Sequence, residues 1–202
     1  MATAKYGLNF SFSGCGFLGM YYLGAVARLK EGQKLHKDDF VIKSALGASA
    51  GALGIEYTFN MIFKYFFYKL VYWKYYKISA ATALVLDLPT NELKRKMLEI
   101  ASQVNSMGIL GPFHPNFDVV DLFQHELIKI LPSEAHIKAT GKLHISITDS
   151  TMNNVIVSNF SSIEELKDAL ICSCYLPGFS SWKQVPTYNG KPYIGNKYSS
   201  EI

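Results

Sequence analysis

Two glycine-framed clusters hold the residue types that acyl or phosphate chemistry needs. Gly47-x-Ser49-x-Gly51 follows an apolar run and precedes small residues, as in a strand that turns sharply into a helix. Flanking glycines permit that turn and push the serine hydroxyl to its tip, near the first amides of the helix. Those amides favour negative charge, so the arrangement suits a nucleophile attacking a carbonyl. A tight turn with a passive serine is the alternative. The second cluster is Gly14-x-Gly16-x-x-Gly19, after the first apolar strand. It admits three readings: an oxyanion hole built from backbone amides, a dinucleotide-binding turn, or a glycine-rich packing turn. A dinucleotide site needs a carboxylate at the end of the next strand, but Asp38 and Asp39 stand before that strand. The oxyanion reading best joins the two clusters, because loops after neighbouring parallel strands share one sheet edge.

A serine nucleophile needs a base. His36 and His114 fall in connections, His125 in a helix, His136 near a helix end, and His144 opposite the apolar face of a strand. None has the late-loop placement of a hydrolase histidine, which leaves a carboxylate bonded directly to Ser49 as the remaining class of base. Asp118 and Asp121 sit three apart on a helix with His125 four further on. They lack a clear further ligand, so a solvated helix face is expected and no metal. Cys172 and Cys174 are two apart in a helix and read as buried thiols; with Cys15 they make no CxxC pair. Three cysteines without a pairing pattern, and an N-terminus without a signal peptide, point to a reducing, cytoplasmic setting.

The elements that would carry these clusters alternate. Tyr6, Leu8, Phe10 and Phe12 mark one face of a strand over 6–13, and a helix follows to about Lys30 with Gly32 as its stop. Gly19 and Gly24 suggest close helix–sheet contact. A second strand spans 40–46, and small residues continue through Gly54 and resume at 80–88. A helix over 91–104 precedes another capped by Asn116 and closed by Pro132. Leu143, Ile145 and Ile147 alternate in a strand, and 155–157 make another. Ser162 and Glu165 form a capping box for a helix ending near Cys174. Asn189-Gly190 is a turn, with a short strand over 191–194. The order predicts one α/β layered domain with a mainly parallel central sheet.

Composition narrows the function classes. The chain has 202 residues, of which 49% are apolar and 18% charged, enough for a core and too few charges for disorder. Its net charge of +4 is a poor warrant for nucleic-acid binding. Much of that excess lies in residues 55–79, where Lys64, Lys69, Lys74 and Lys77 face one acid, Glu56. Residues 57–76 of the same window hold 11 aromatics. The lysines break the run too often for a membrane span. The window reads either as an interfacial lipid anchor or as an insertion foreign to the fold.

On NFSFSGCGFLGMYYLGA (9–25), GASAGAL (47–53), KLHISITDS (142–150) and CSCYLPGF (172–179), the chain resembles the patatin-like phospholipase family, particularly its small animal lipid-hydrolase branch. The resemblance implies a layered α/β/α domain over 6–202 that cleaves carboxylic esters of acylglycerols, retinyl esters or phospholipids through an acyl-enzyme, without metal or redox cofactor. It implies Ser49 as nucleophile of a serine–aspartate dyad, Gly14, Cys15 and Gly16 as the oxyanion loop, and Gly19, Gly47 and Gly51 as motif glycines. A lipid ester at a membrane or droplet surface is the implied partner. There are two departures. The family's aspartate, in Asp-Gly-Gly or Asp-Gly-Ala, is missing from the matching stretch 191–196, and the one later carboxylate side chain, Glu201, has nothing to place it by Ser49. Residues 55–79 interrupt the helix that would seat Ser49; joining Gly54 to Ala80 restores it. The expectation is therefore a C-terminally incomplete domain with impaired catalysis, or a non-catalytic lipid-surface protein.

Overall fold

A computed structural model describes residues 6–12, 19–35, 39–48, 80–106, 118–126, 128–175, 177 and 185–195. The framework starts with β1 (Tyr6–Phe12), α1 (Gly19–Leu35) and β2 (Phe40–Ala48). β1 and β2 pair in parallel, with Tyr6 opposite Phe40 and Phe12 opposite Gly47. Helices α2 (Thr90–Ser106), α3 (Val119–Glu126) and α4 (Ala135–Ala139) come next, with a 3-10 turn at Ile128–Ile130. Then β3 (Leu143–Thr148) pairs in parallel with β2, from Ala45–Leu143 to Ala48–Ser146. β4 (Asn154–Val157) returns antiparallel on the other edge of β3, and α5 (Ile163–Cys174) follows. The chain closes with a hairpin, β5 (Thr187–Tyr188) and β6 (Lys191–Pro192), and with β7 (Ile194–Gly195). This is the expected α/β architecture: three parallel strands in the order β1-β2-β3, two antiparallel strands against β3, and helices around them.

β3 is the core of the molecule. Leu143, Ile145 and Ile147 on one face have no exposed surface, and Ser146 and Thr148 on the other are also buried. A strand covered on both faces lies inside a layered domain and not on its skin.

The helical residues 80–85 are almost wholly buried, from Ala80 to Leu84. Their small side chains allow close approach to the sheet. Asp87 adopts φ 55° and Leu88 N–H donates to Ala83 O at 3.1 Å, a left-handed helix ending. Lys30 of α1 locks this ending, donating to Leu88 O at 2.7 Å and pairing with Asp87 at 2.6 Å. Leu84 and Val85 share a cleft with Ile42 and Lys142, at the amino ends of β2 and β3. The helix therefore finishes at the sheet edge opposite the tip of β2, as the return arm of a strand–helix unit does.

Three expectations need correction. α1 continues through Gly32 to Leu35; one interior glycine costs a helix only about 1 kcal/mol. Gly24 has open space where a side chain would sit, so it makes no close sheet contact. α3 is capped not by Asn116, which lies outside the described residues, but by Asp118, whose Oδ1 accepts from Val120 and Asp121 N–H at 2.9 and 3.1 Å.

Burial of this kind predicts unequal losses. Ile145→Ala on β3 lowers the unfolding free energy by about 2–5 kcal/mol in urea titrations. Ile156→Ala on β4, where the side chain is 48% exposed, changes it by about 0.5 kcal/mol or less.

Candidate functional site

The two strands that lead into the glycine clusters are neighbours. β1 ends at Phe12, two residues before Gly14; β2 ends at Ala48, one residue before Ser49. Phe12 pairs with Gly47, so both tips reach the same level on the same sheet edge. Parallel neighbours lie about 4.8 Å apart, close enough for a hydroxyl and a set of amides to act on one carbonyl. Ser49, Gly14, Cys15, Gly16 and Gly51 lie outside the described residues. Gly47 is the residue of β2 that pairs with both Phe12 and Ile145, and Gly19 opens α1. Both ends of the first loop are tied together: the Phe12 and Tyr22 rings meet edge to face at 5.3 Å.

A third strand reaches the same place. β3 uses one edge for β4, and β2 and β7 share the other. β2 takes the rungs from Leu143 to Ser146; β7 takes the next two, with Gly195 opposite Ile147 and Ile194 opposite Thr148. β7 runs towards β2, so Gly195 occupies the rung immediately beyond Ala48. Gly195 is buried and donates its N–H to Tyr175 O at 2.8 Å, fixing it to the end of α5. The adjoining rung holds Thr148, whose buried Oγ1 has no hydrogen-bond partner among the described residues. What stands next to the tip of β2 is thus a glycine.

A family profile described as Patatin-like phospholipase matches residues 10–194. The chain belongs to the patatin-like phospholipase family. Human patatin-like phospholipase domain-containing protein 2 is 33% identical over 198 residues, covering 96% of this chain and 33% of the relative. Human 1-acylglycerol-3-phosphate O-acyltransferase is 31% identical over 204 residues, covering 100% and 36%. Mouse omega-hydroxyceramide transacylase is 33% identical over 193 residues, covering 95% and 27%. The chain spans about a third of the length of these relatives. No solved structure matches it.

In this patatin-like domain the described carboxylates near the strand tips are already engaged. Asp149, just past β3, accepts from Thr151 Oγ1 at 2.7 Å and from the Thr151 and Asn153 N–H groups at 2.9 Å. Those bonds, the Thr151 hydroxyl first, hold its carboxyl below the usual range. Asp118 serves as the cap of α3. Among the histidines, His125 is exposed and His136 and His144 are half-buried, while His36, His114 and Glu201 lie outside the described residues. No group of three or more His, Cys, Asp or Glu side chains among the described residues is placed to hold a metal, so Asp118, Asp121 and His125 form no such cluster. Asp39 stands at the opposite end of the sheet from Phe12, where its carbonyl accepts from Tyr6 N–H at 2.9 Å. Cys172 and Cys174 are buried thiols, and burial pushes the Cys172 thiol up to about 12, so it stays protonated and unreactive. No helix among the described residues is long and apolar enough to cross a membrane.

Sequence reasoning missed how β7 is brought to the tips. Ser162 Oγ accepts from Glu165 N–H at 3.1 Å, the first half of the expected capping box. The Glu165 carboxylate then serves as a hub. It accepts from Ser161 N–H and Oγ at 2.7 and 2.6 Å, from Tyr188 Oη at 2.7 Å and from Asn189 Nδ2 at 3.2 Å. The last two belong to the hairpin before β7, where Asn189 and Gly190 take φ of 50° and 73°. The Tyr188 and Tyr193 rings stack edge to face at 6.1 Å and stiffen that hairpin. The capping box was visible in sequence; the hydroxyl from 23 residues further on carried no local signal.

The hydrogen bonds to Glu165, chiefly from the Ser161 and Tyr188 hydroxyls, lower its carboxyl to about 2 from an ordinary 4.5. A lowered folded-state value means the carboxylate stabilises the fold above about pH 4.5 and that this contribution fades as pH falls towards 2. Glu165→Gln is expected to lower the melting temperature at pH 6 and to flatten its fall between pH 4.5 and 3, measured by circular dichroism melts.

Proposed function

We propose that this domain is a lipid acyl hydrolase scaffold in which Ser49 is the nucleophile and the Gly14–Gly16 amides are the oxyanion hole. The observation that carries the reading is the convergence of the β1 and β2 tips on one sheet edge, with Phe12 level with Gly47. In the reaction Ser49 Oγ attacks the ester carbonyl as its proton passes to a base. The amides take the charge that develops on the carbonyl oxygen. The alcohol leaves with a proton, and an acyl-serine remains for water to cleave to the free fatty acid. Relatives named as an acyltransferase and a transacylase fit the same intermediate, since an alcohol can take the acyl group in place of water. Substrates are lipid carboxylic esters met at a membrane or droplet surface.

The base is the deficient part. The rung beyond Ala48 is Gly195, where a carboxylate would stand beside the residue that precedes Ser49. The chain therefore has little or no esterase activity. Gly195 is not one of the positive-φ glycines, Gly141 and Gly190, so an aspartate there meets no left-handed strain. Gly195→Asp is expected to raise hydrolysis of a p-nitrophenyl acyl ester by about 10²-fold or more, the scale of general-base catalysis; Ser49→Ala in the same background removes the gain. Strong activity in the unsubstituted chain, lost on Ser49→Ala, contradicts the deficiency. A gain that survives Ser49→Ala contradicts the nucleophile.

The glycine at that rung also favours a second reading, a lipid-surface protein without catalysis that keeps an acyl-binding cleft. The helical residues 80–85 end at the far sheet edge, which supports reading 55–79 as an insertion in the arm that returns from β2. Joining Gly54 to Ala80 is expected to preserve the fold in circular dichroism. Liposome flotation of both forms then tests the anchor: lost binding in the shortened form supports it, and unchanged binding removes it.

A further inference from the structure

The end of the sheet opposite the strand tips holds a feature that acyl transfer does not use. A cleft of about 360 Å³ opens between the last turns of α1 and the amino ends of β2 and β3. Lys30, Lys34, Lys43 and Lys142 line it, with Asp87 as the single described acid and Gln33 as a neutral donor. Lys30 is committed to the fold: its side chain is 15% exposed, paired with Asp87 and bonded to Leu88 O. The other three ammoniums have no ion-pair partner among the described residues. Like charges crowded into one concavity raise its potential and destabilise it unless an anion enters.

Lys43 is aimed there by a local irregularity. β1 and β2 slip register between Leu8 and Asn9, which pair with Ile42 and Ser44, so Lys43 is an extra residue in β2. A bulge of this kind re-aims the side chain it carries. Gly7 leaves the space: a Cβ built on it would fall 2.0 Å from Lys43 Cε and 2.9 Å from Lys43 Nζ. An exposed lysine with no task needs neither a bulge nor a cleared neighbour.

We propose that this cleft binds a phosphomonoester dianion, at a site separate from Ser49. Lys34, Lys43 and Lys142 supply point charges to the phosphate oxygens, Gln33 supplies an amide donor, and Ile42 and Leu84 line an apolar wall for the carbon next to the ester. The ligand's source is either a soluble phosphorylated metabolite or a lipid headgroup with a terminal phosphate. Because the cleft lies at the opposite end of the strands, its occupant does not compete with an ester at the tips.

The test uses the full chain and two probes: glycerol 3-phosphate in calorimetric titration, and flotation with phosphatidylcholine vesicles with or without phosphatidic acid. Saturable binding to glycerol 3-phosphate or to phosphatidic acid vesicles is expected. It should weaken about tenfold or more in K34Q/K43Q, the scale of one lost charge-assisted hydrogen bond, and persist in K34R/K43R. Glycerol 3-phosphate binding identifies a soluble ligand as sufficient; phosphatidic acid binding alone identifies a headgroup. If K34Q/K43Q loses its circular dichroism, K142Q carries the same comparison. The proposal is overturned if neither probe binds, if the only binding is to vesicles and ignores phosphatidic acid, or if the charge-removing variant binds as well as the parent.

Discussion

One edge of β3 holds two strands end to end, and the site depends on that division. β2 comes up in parallel and stops opposite Ser146; β7 comes down antiparallel and starts opposite Thr148. Because Ile147 already pairs with Gly195, no rung remains for β2 to extend along β3. The pairing is held by burial, since Ile145 and Ile147 are wholly inaccessible and any slip by one residue would turn them to the other face of the sheet. Register, and not any single hydrogen bond, thus sets which residues meet at the tips.

Two supports keep the meeting point in place. At β1, the Phe12–Tyr22 contact draws the first turns of α1 against the strand end. At β7, the Glu165 hub fastens the preceding hairpin to the start of α5, and Tyr175 at the other end of α5 receives the Gly195 N–H. A carboxylate near the base of the sheet therefore influences geometry at its top through a helix that connects the two. The same hydrogen bonds make it acidic, so the support is fully charged at neutral pH.

What was legible in the sequence followed from local rules. Alternation located β1 and β3, glycine spacing located the ends of β1 and β2, and Ser162 with Glu165 located the start of α5. The errors came where a distant partner decided the outcome. Gly32 looked like a helix stop, yet α1 runs past it to the turn that feeds β2. Asn116 looked like a cap, but Asp118 performs that role two residues on. The stretch 191–196 was read only as lacking the family's aspartate; the rung that Gly195 takes beside β2 depends on a pairing with Ile147 that no local pattern announces. The bulge at Lys43 was equally silent, because it is defined by β1 and not by β2 alone.

The order of the strands along the chain carries a kinetic cost. β1 and β2 are close in sequence, but β2 must wait for β3, about a hundred residues later, before its second edge is covered. Loop closure over such a distance slows assembly. Until β3 emerges from the ribosome, a two-stranded parallel ribbon stands with open hydrogen-bonding groups, and such edges recruit other chains. Shielding of that edge during translation would keep newly synthesised molecules from such recruitment.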